Sequence, residues 1–531
     1  MNKGTALCIV LSAVMLTACR ENTSSPEKPV PKHVTADYKP DAVCATLMNE
    51  WDEELPISRD LVSCNYFQSP LIVSNQKFLN LEPSVKVRES DQDKIDIFYM
   101  RVSASEERRG TLLYNPGGPG DVTSGMDTAL SRLSQIDPDI FKYYDIVAFD
   151  PRGTGYSGLA HELRTCLLTD KTAVTPAMEP AAVAVLFAKE YGDQATKGER
   201  NDEFNKKIMQ KVSSQCGSIL NTYGPQFGAN TIIQDMEQLR QYLAVEKITP
   251  LMISYGTRIA SLYAHRYPEY VADVIIDSPM SATVTDYLDV AKADGVNANK
   301  IVAWRFGEEA RQLSEQITNT IRDNQAYTDN VGNVITAHDW DLIIKGAITD
   351  QVAGGTDEQR AFWHDDDASD LITKLREEEN EDEEMTEIMG SPVFAAIHCA
   401  DNTAPYGWHD LDVEDAAFQG SGVYALHASF SVCADWMFPH SPIPSFKAND
   451  IHLAQGSIAL ILGAEFDSQT PYSGVEDMRD AFGNSARVVK VLQSSQHGQM
   501  AMAECADQSI KTLLLGNKEL IPQQQACLAS N

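Results

Sequence analysis

The segment from Thr231 to Pro279 constrains the fold more than any other, because helix and strand signals alternate in it at short intervals. In TIIQDMEQLRQYLAV the apolar residues Ile232, Ile233, Met236, Leu239, Tyr242 and Leu243 recur at helical spacing. A short strand then runs into Ser254, a helix continues to about Tyr267 and is stopped by Pro268, and DVIIDSP reads as a further strand. Strands joined by helices of this length pair in parallel, since the crossover carries the chain back over one face of the sheet. Upstream, DKIDIFYMRVSAS alternates, GTLLYNPGG enters a glycine-rich loop, and YYDIVAFDPRGTGYSG carries a strand, Asp145 to Phe149, into a second such turn. SIALILGAEFDSQTP and ARVVKVLQSSQHGQM add two strands near the C-terminus. The expectation is an α/β fold with a mostly parallel sheet covered by helices on both faces.

From about 286 to 445 the chain is helix-like, acidic and poor in buried-strand runs, and it contains REEENEDEEM at 376–385, which reads as a solvated face. A sheet that is interrupted and then resumed predicts a core in two parts, 41–285 and 446–531, with an inserted, mainly helical cap at 286–445. No repeat of solenoid length recurs.

The N-terminus reads as an export signal. MNKGTALCIVLSAVMLTAC has a short basic start and an apolar run, Ala6 to Ala18, too brief to span a bilayer comfortably. Its end, Leu16-Thr17-Ala18-Cys19, resembles a bacterial lipoprotein cleavage box, which makes 1–18 the signal peptide and Cys19 the lipidated first residue. Arg20, not Asp, follows, which by resemblance to sorted lipoproteins implies the outer membrane. The polar, Pro-rich stretch to residue 40 suits a tether, so 19–40 is read as lipidated Cys and linker. The formal net charge of −33 argues against a nucleic-acid partner, because phosphate binding needs clustered Lys and Arg, and it is compatible with cationic groups such as a peptide amino terminus.

Setting aside Cys8 and Cys19, the even set Cys44, Cys64, Cys166, Cys216, Cys399, Cys433, Cys505 and Cys527 reads as disulfides in an exported chain. Eight cysteines allow about 105 pairings on paper; sequence neighbours are the expected partners. No C-x-x-C or other zinc-like spacing occurs, and neither His398 beside Cys399 nor His364 before three aspartates has ligand-like partners at helical spacing. No metal or cofactor is expected.

The strand-to-helix turn at Ser254 is where a nucleophilic serine would be exposed, although a serine at that place also caps helices. Asp467, after the strand Ile458 to Gly463, and His497, after the next strand, complete the order Ser, Asp, His. A hydroxyl needs a base to take its proton, and the imidazole needs a carboxylate to fix its tautomer. The alternative for Asp467 is a turn former and for His497 a surface loop residue. The loop NPGGPG, Asn115 to Gly120, lets backbone N–H groups approach a developing oxyanion, and the donors expected are those of Gly118 and Tyr255.

The runs LLYNPGGPG, YDIVAFDPRGTGYSG, QDMEQLRQYL, ISYGTRIASLYAHRYPEYV, AAIHCADN, CADW, LGAEFDSQTP and SQHGQM together resemble the secreted tripeptidyl aminopeptidase branch of the α/β-hydrolases, relatives of prolyl aminopeptidase. The resemblance runs from about Cys64 to Cys527. It implies an α/β-hydrolase core, a helical cap, removal of short peptides from free N-termini, and a triad at Ser254, Asp467 and His497. It also matches Cys399 with Cys433 and Cys505 with Cys527, and reads Asp150 and Arg152 as bracing the loop beside the oxyanion hole. One residue departs from it: Met252 stands where the family carries glycine, and the methionine either folds away or narrows the acyl pocket. The expected function is a lipid-anchored serine exopeptidase acting on peptides with a free N-terminus. An esterase or other small-acyl hydrolase on the same fold is the alternative, and a surface binding protein with a decayed site is the third reading.

Overall fold

The computed structural model describes residues 33–35, 38–49, 51, 55–73, 93–120, 122–166, 210–324, 326–349, 356–378, 392–410 and 433–529. The signal peptide at 1–18, Cys19, most of the tether and the acidic run after Glu378 lie outside the described residues.

The strands are β1 (His33–Val34), β2 (Val62–Pro70), β3 (Lys94–Val102), β4 (Gly110–Asn115), β5 (Tyr144–Phe149), β6 (Thr249–Ile253), β7 (Val274–Asp277), β8 (Ala326–Thr328), β9 (Val334–Thr336), β10 (Ala459–Ala464), β11 (Ala486–Leu492) and β12 (Gln524–Leu528). Ten of them form one sheet in the order β1-β3-β5-β4-β6-β7-β10-β11-β12, with β2 also on β3. Within this sheet pairing is antiparallel for β2 with β3 and β3 with β5, and along the order from β5 to β12 each pair is parallel; β8 and β9 form a separate antiparallel pair. This is the α/β-hydrolase arrangement.

The longer helices are α1 (Pro40–Asn49), α2 (Met126–Ile136), α3 (Ala229–Tyr242), α4 (Tyr255–Arg266), α5 (Tyr287–Phe306), α6 (Glu308–Asn324), α7 (Ala337–Thr349), α8 (Asp357–Asp365), α9 (Ser369–Glu378), α10 (Pro392–Asp401), α11 (Ser473–Phe482) and α12 (Glu504–Leu515). Alternation along each strand divides the sheet's burial into two layers. Leu113, Met252, Ile276 and Ile461 join α3, α4, α10 and α11 on one face, and Leu112, Leu251, Ile253, Ile275 and Leu460 join α1, α2 and α12 on the other. A third cluster, from Val302 to Ile372 and including Trp340, Phe362 and Trp363, is built by α5 through α9 with Tyr327 of β8 and Ile335 of β9.

Residues 286–445 therefore divide by packing. The helices up to α9 bury their apolar stripes against one another, whereas α10 and Cys433 to Phe446 pack into the main core beside α3 and α4. The four disulfides join Cys44 to Cys64, Cys166 to Cys216, Cys399 to Cys433 and Cys505 to Cys527, which are the sequence-neighbour pairs.

Candidate active site

β6 ends at Ile253 and α4 starts at Tyr255, so Ser254 alone makes the turn between them. Its backbone sits at φ 54°, ψ −128°, a conformation that residues with a Cβ avoid and that is found at nucleophile elbows. The surroundings hold it there. The Ser254 N–H donates to the Asp277 carbonyl at 3.1 Å, and the Ser254 carbonyl accepts from the Thr257 hydroxyl at 2.6 Å. The neighbouring chain lies close enough to require glycine twice. A Cβ at Gly117 (φ 99°) would sit 2.7 Å from the Ser254 Cβ, and one at Gly256 would sit 2.9 Å from the Asn115 carbonyl.

Met252 is fully buried and belongs to the core layer that holds Ile259 and Ile276. Its flexible chain fills the core beneath the elbow, so the site above Ser254 is not where the methionine is accommodated.

Asp467 follows β10 and His497 follows β11. His497 Nδ1 lies 2.9 Å from Asp467 Oδ1 and 3.2 Å from Oδ2. The carboxylate is fixed in turn by the Gln469 and Thr470 N–H groups, both 2.9 Å from Oδ1, and is almost wholly buried. Burial alone would lower the imidazole's affinity for a proton, but the Asp467 carboxylate and, beyond it, Asp277 outweigh burial and Arg132 and hold His497 above its ordinary value.

Asp277 is a site residue that the sequence reading missed. It ends β7 with no exposure, and its carboxylate accepts the Gln499 N–H at 2.8 Å and the Met500 N–H at 2.9 Å, while its carbonyl accepts from Ser254. One residue thus ties the elbow to the loop that carries His497. Gly498 adds a further tie by donating to the Ser278 hydroxyl at 2.8 Å. The available signal was a carboxylate closing the apolar run VII, since a buried charge needs donors to satisfy it.

Gly117 and Gly118 both take positive φ, 99° and 95°, and the hypothetical Gly117 Cβ would lie 2.9 Å from the Tyr255 N, so this loop rests on the start of α4. Asp150 braces the chain beyond the glycines. Its carboxylate accepts the Val122 and Thr123 N–H groups at 3.0 and 2.8 Å and the Tyr156 N–H at 2.9 Å. Arg152 acts further away, in a fully buried fork to Asp235 with Nε–Oδ2 2.9 Å and Nη2–Oδ1 2.6 Å. His364 is exposed, and His398 is buried between Tyr255 and Tyr287.

α5 crosses the acid loop, a contact that sequence reasoning did not foresee. Asn297 Nδ2 donates to the Asp467 carbonyl, Trp304 stacks on Phe466 with centroids 4.4 Å apart, and Arg305 donates to the Ser495 hydroxyl at 2.7 Å. Asp294, one turn before Asn297, has a buried Oδ1 with no hydrogen-bond partner among the described residues. Burial first, and the Asp467 charge second, push its carboxyl well above the usual carboxylate range.

Residues 419–526 match the family model described as TAP-like protein. Among curated proteins, the chain is 23% identical over 429 residues to a tripeptidyl aminopeptidase of Streptomyces lividans, covering 77% of this chain and 75% of the relative. It is 28% identical over 187 residues to the serine protease Hip1 of Mycobacterium tuberculosis, covering 35% of this chain and 32% of that one. It is 22% identical over 420 residues to the M. tuberculosis carboxylesterase B, covering 72% and 74%. Fold, elbow and these relatives agree: the chain is a serine hydrolase of the α/β-hydrolase fold, related to the tripeptidyl aminopeptidases.

Proposed function

We propose that this chain is an exported, lipid-anchored serine exopeptidase that removes short peptides or single residues from free N-termini, with Ser254, Asp467 and His497 as its triad. The observation that carries the chemistry is the His497–Asp467 pair, tied through Asp277 to the strained Ser254 elbow. His497, oriented by Asp467, takes the Ser254 proton as Oγ attacks the scissile carbonyl. The tetrahedral oxyanion is held by the Gly118 and Tyr255 N–H groups. His497 then gives the proton to the leaving amine, and water hydrolyses the acyl-enzyme by the same steps in reverse order.

An exopeptidase must hold the substrate's ammonium group, and Asp294 supports that role. Its Oδ1 is buried without a hydrogen-bond partner among the described residues, and an entering cation would offset the burial and the Asp467 charge that push its carboxyl upward. Export is supported by the signal-like N-terminus and the four disulfides, and lipidation by the Leu-Thr-Ala-Cys box. Among the described residues no helix is long and apolar enough to cross a membrane, so the attachment proposed is the lipid at Cys19, in the outer membrane.

The carboxylesterase relative favours a second reading, ester hydrolysis through the same residues. Hydrolysis of free and N-blocked mono-, di- and tripeptide chromogenic substrates, beside simple esters, separates the two. Cleavage of free-amino peptides but not their blocked twins is expected, and cleavage of esters alone would overturn the peptidase assignment.

A further inference from the structure

We propose that Asn297 and Arg305 of α5 are positioning residues for the acid and the base, Asn297 by fixing the Asp467 backbone and Arg305 by fixing Ser495, two residues before His497. The inference rests on the reading of Ser254, Asp467 and His497 as the triad.

β10 ends at Ala464 and β11 at Leu492, so Asp467 and His497 both lie beyond the strands that lead to them. Two backbone hydrogen bonds join their loops, from the Phe466 N–H to the Ser494 carbonyl at 2.9 Å and from the Ser468 N–H to the Ser495 carbonyl at 3.1 Å. These bonds flank Asp467 and fix one loop against the other. α5 attaches both loops to a rigid element.

The Asn297 amide, 5% exposed, reaches the Asp467 carbonyl, and because a carbonyl only accepts, the contact is made by Nδ2. Further along the helix, Trp304 stacks on Phe466 with ring planes 13° apart, and Arg305 Nη2 donates to Ser495 Oγ at 2.7 Å. Asn297, Trp304 and Arg305 recur at helical spacing, so they share one face, and they span about 12 Å, enough for a single helix to reach both loops.

α5 is itself fixed at both ends. Tyr287, its first residue, lies in the main core and its N–H donates to Asn402 Oδ1 at 2.9 Å, whereas Val302 and Phe306 near its end belong to the cluster of α5 to α9. A helix held in two cores is a stiff reference for the loops it touches, and proton transfer between acid, base and nucleophile depends on that placement. The charges that face His497 are Asp467 and Asp277, which favour its proton, and Arg132 of α2, which opposes it; Asp294 of α5 faces Asp467. A substitution at Asn297 removes none of these charges, so a displaced acidic limb in its pH profile reports altered geometry between Asp467 and His497.

The test uses the chain from residue 20. Asn297→Leu keeps the bulk of the side chain and deletes the donor, and Asn297→Gln offers an amide again. The expected result in the Leu variant is a kcat about 10- to 100-fold lower, the scale of a small misplacement of a reacting group. KM should stay within about twofold, because the residue acts through the acid and base and not on bound substrate. The rate of fluorophosphonate labelling of Ser254, which needs no substrate ammonium group, should fall with kcat. The acidic limb should move to lower pH as Asp467 loses its hold on the imidazolium, and the Gln variant should recover part of each change. Undiminished kcat, or a fall in kcat with the acidic limb in place, would overturn the proposal even if Tm drops, and would leave Asn297 a packing residue. Should Asn297→Leu fail to fold, Ser495→Ala decides: a fall in kcat at constant KM with the limb displaced supports the proposal, and an unchanged kcat or an unmoved limb overturns it. Labelling of the unaltered chain keeps the two levels apart. A chain that is not labelled at Ser254 contradicts the triad and this inference with it, whereas a labelled, active chain whose variants match it contradicts this inference alone.

Discussion

On the proposed mechanism, His497 is the residue whose protonation decides whether the site works. Because Asp467 and Asp277 hold the imidazole above its ordinary value against burial and Arg132, the acidic limb of kcat/KM lies above the pH at which an unperturbed histidine titrates. Activity is lost as pH falls through that value, since a protonated ring cannot accept the serine proton. Asp467→Asn should lower kcat by about 10⁴-fold and move the acidic limb to lower pH, because the largest charge favouring the imidazolium is gone; a pH–rate profile reads both, and an unshifted limb would separate Asp467 from His497. Asp294→Asn should raise KM for free-amino peptides about 10- to 100-fold, the equivalent of one charge-assisted hydrogen bond, and leave ester turnover unchanged. Equal losses on both substrates would remove Asp294 from the ammonium site. Ser254, Asp467 and His497 were legible as candidates because each follows a strand signal in a recognisable order. Asp277, Asp294 and Asn297 were not, because their importance comes from what the fold brings against them: a backbone N–H from 222 residues away in one case, and a helix laid over the acid loop in the others.

At the scale of elements, hydrophobic period located the strands from β3 to β7 and again β10 and β11, because buried parallel strands are apolar runs set between amphipathic helices. β12 was missed: QQACL is short, opens on two glutamines, is exposed at alternate positions and pairs only with β11 at the sheet's edge. α10 was read as part of the helical segment, yet PVFAAIHCAD has no polar stripe and is buried all round, which is the mark of a helix inside a core. Joining α3 to the start of the sheet is the Arg152–Asp235 fork, whose guanidinium also donates to the Leu71 and Pro70 carbonyls. Asp235→Asn leaves that cation without its counter-charge and should cost about 3–5 kcal/mol of stability, the range for breaking a buried pair. Urea unfolding measures it, and a loss within about 0.5 kcal/mol, as for a surface substitution, would show that the fork carries no such load.

Across the whole molecule, a sheet that is parallel from β5 to β12 gathers the loops after β4, β6, β7, β10 and β11 along one edge, and those loops bring the glycine pair, Ser254, Asp277, Asp467 and His497 together. The helices α5 to α9 have their own apolar cluster, and α5 reaches from it to the loop that carries Asp467. A net charge of −33 surrounds a site that on this account receives a substrate cation. The claim on which the rest depends is that Ser254 is a nucleophile activated by His497, and labelling the chain from residue 20 with a fluorophosphonate and mapping the adduct by mass spectrometry tests it most directly. The account predicts a single adduct on Ser254 that is lost in Ser254→Ala and greatly slowed in His497→Ala. No adduct, or an adduct on another serine that persists in Ser254→Ala, would contradict it.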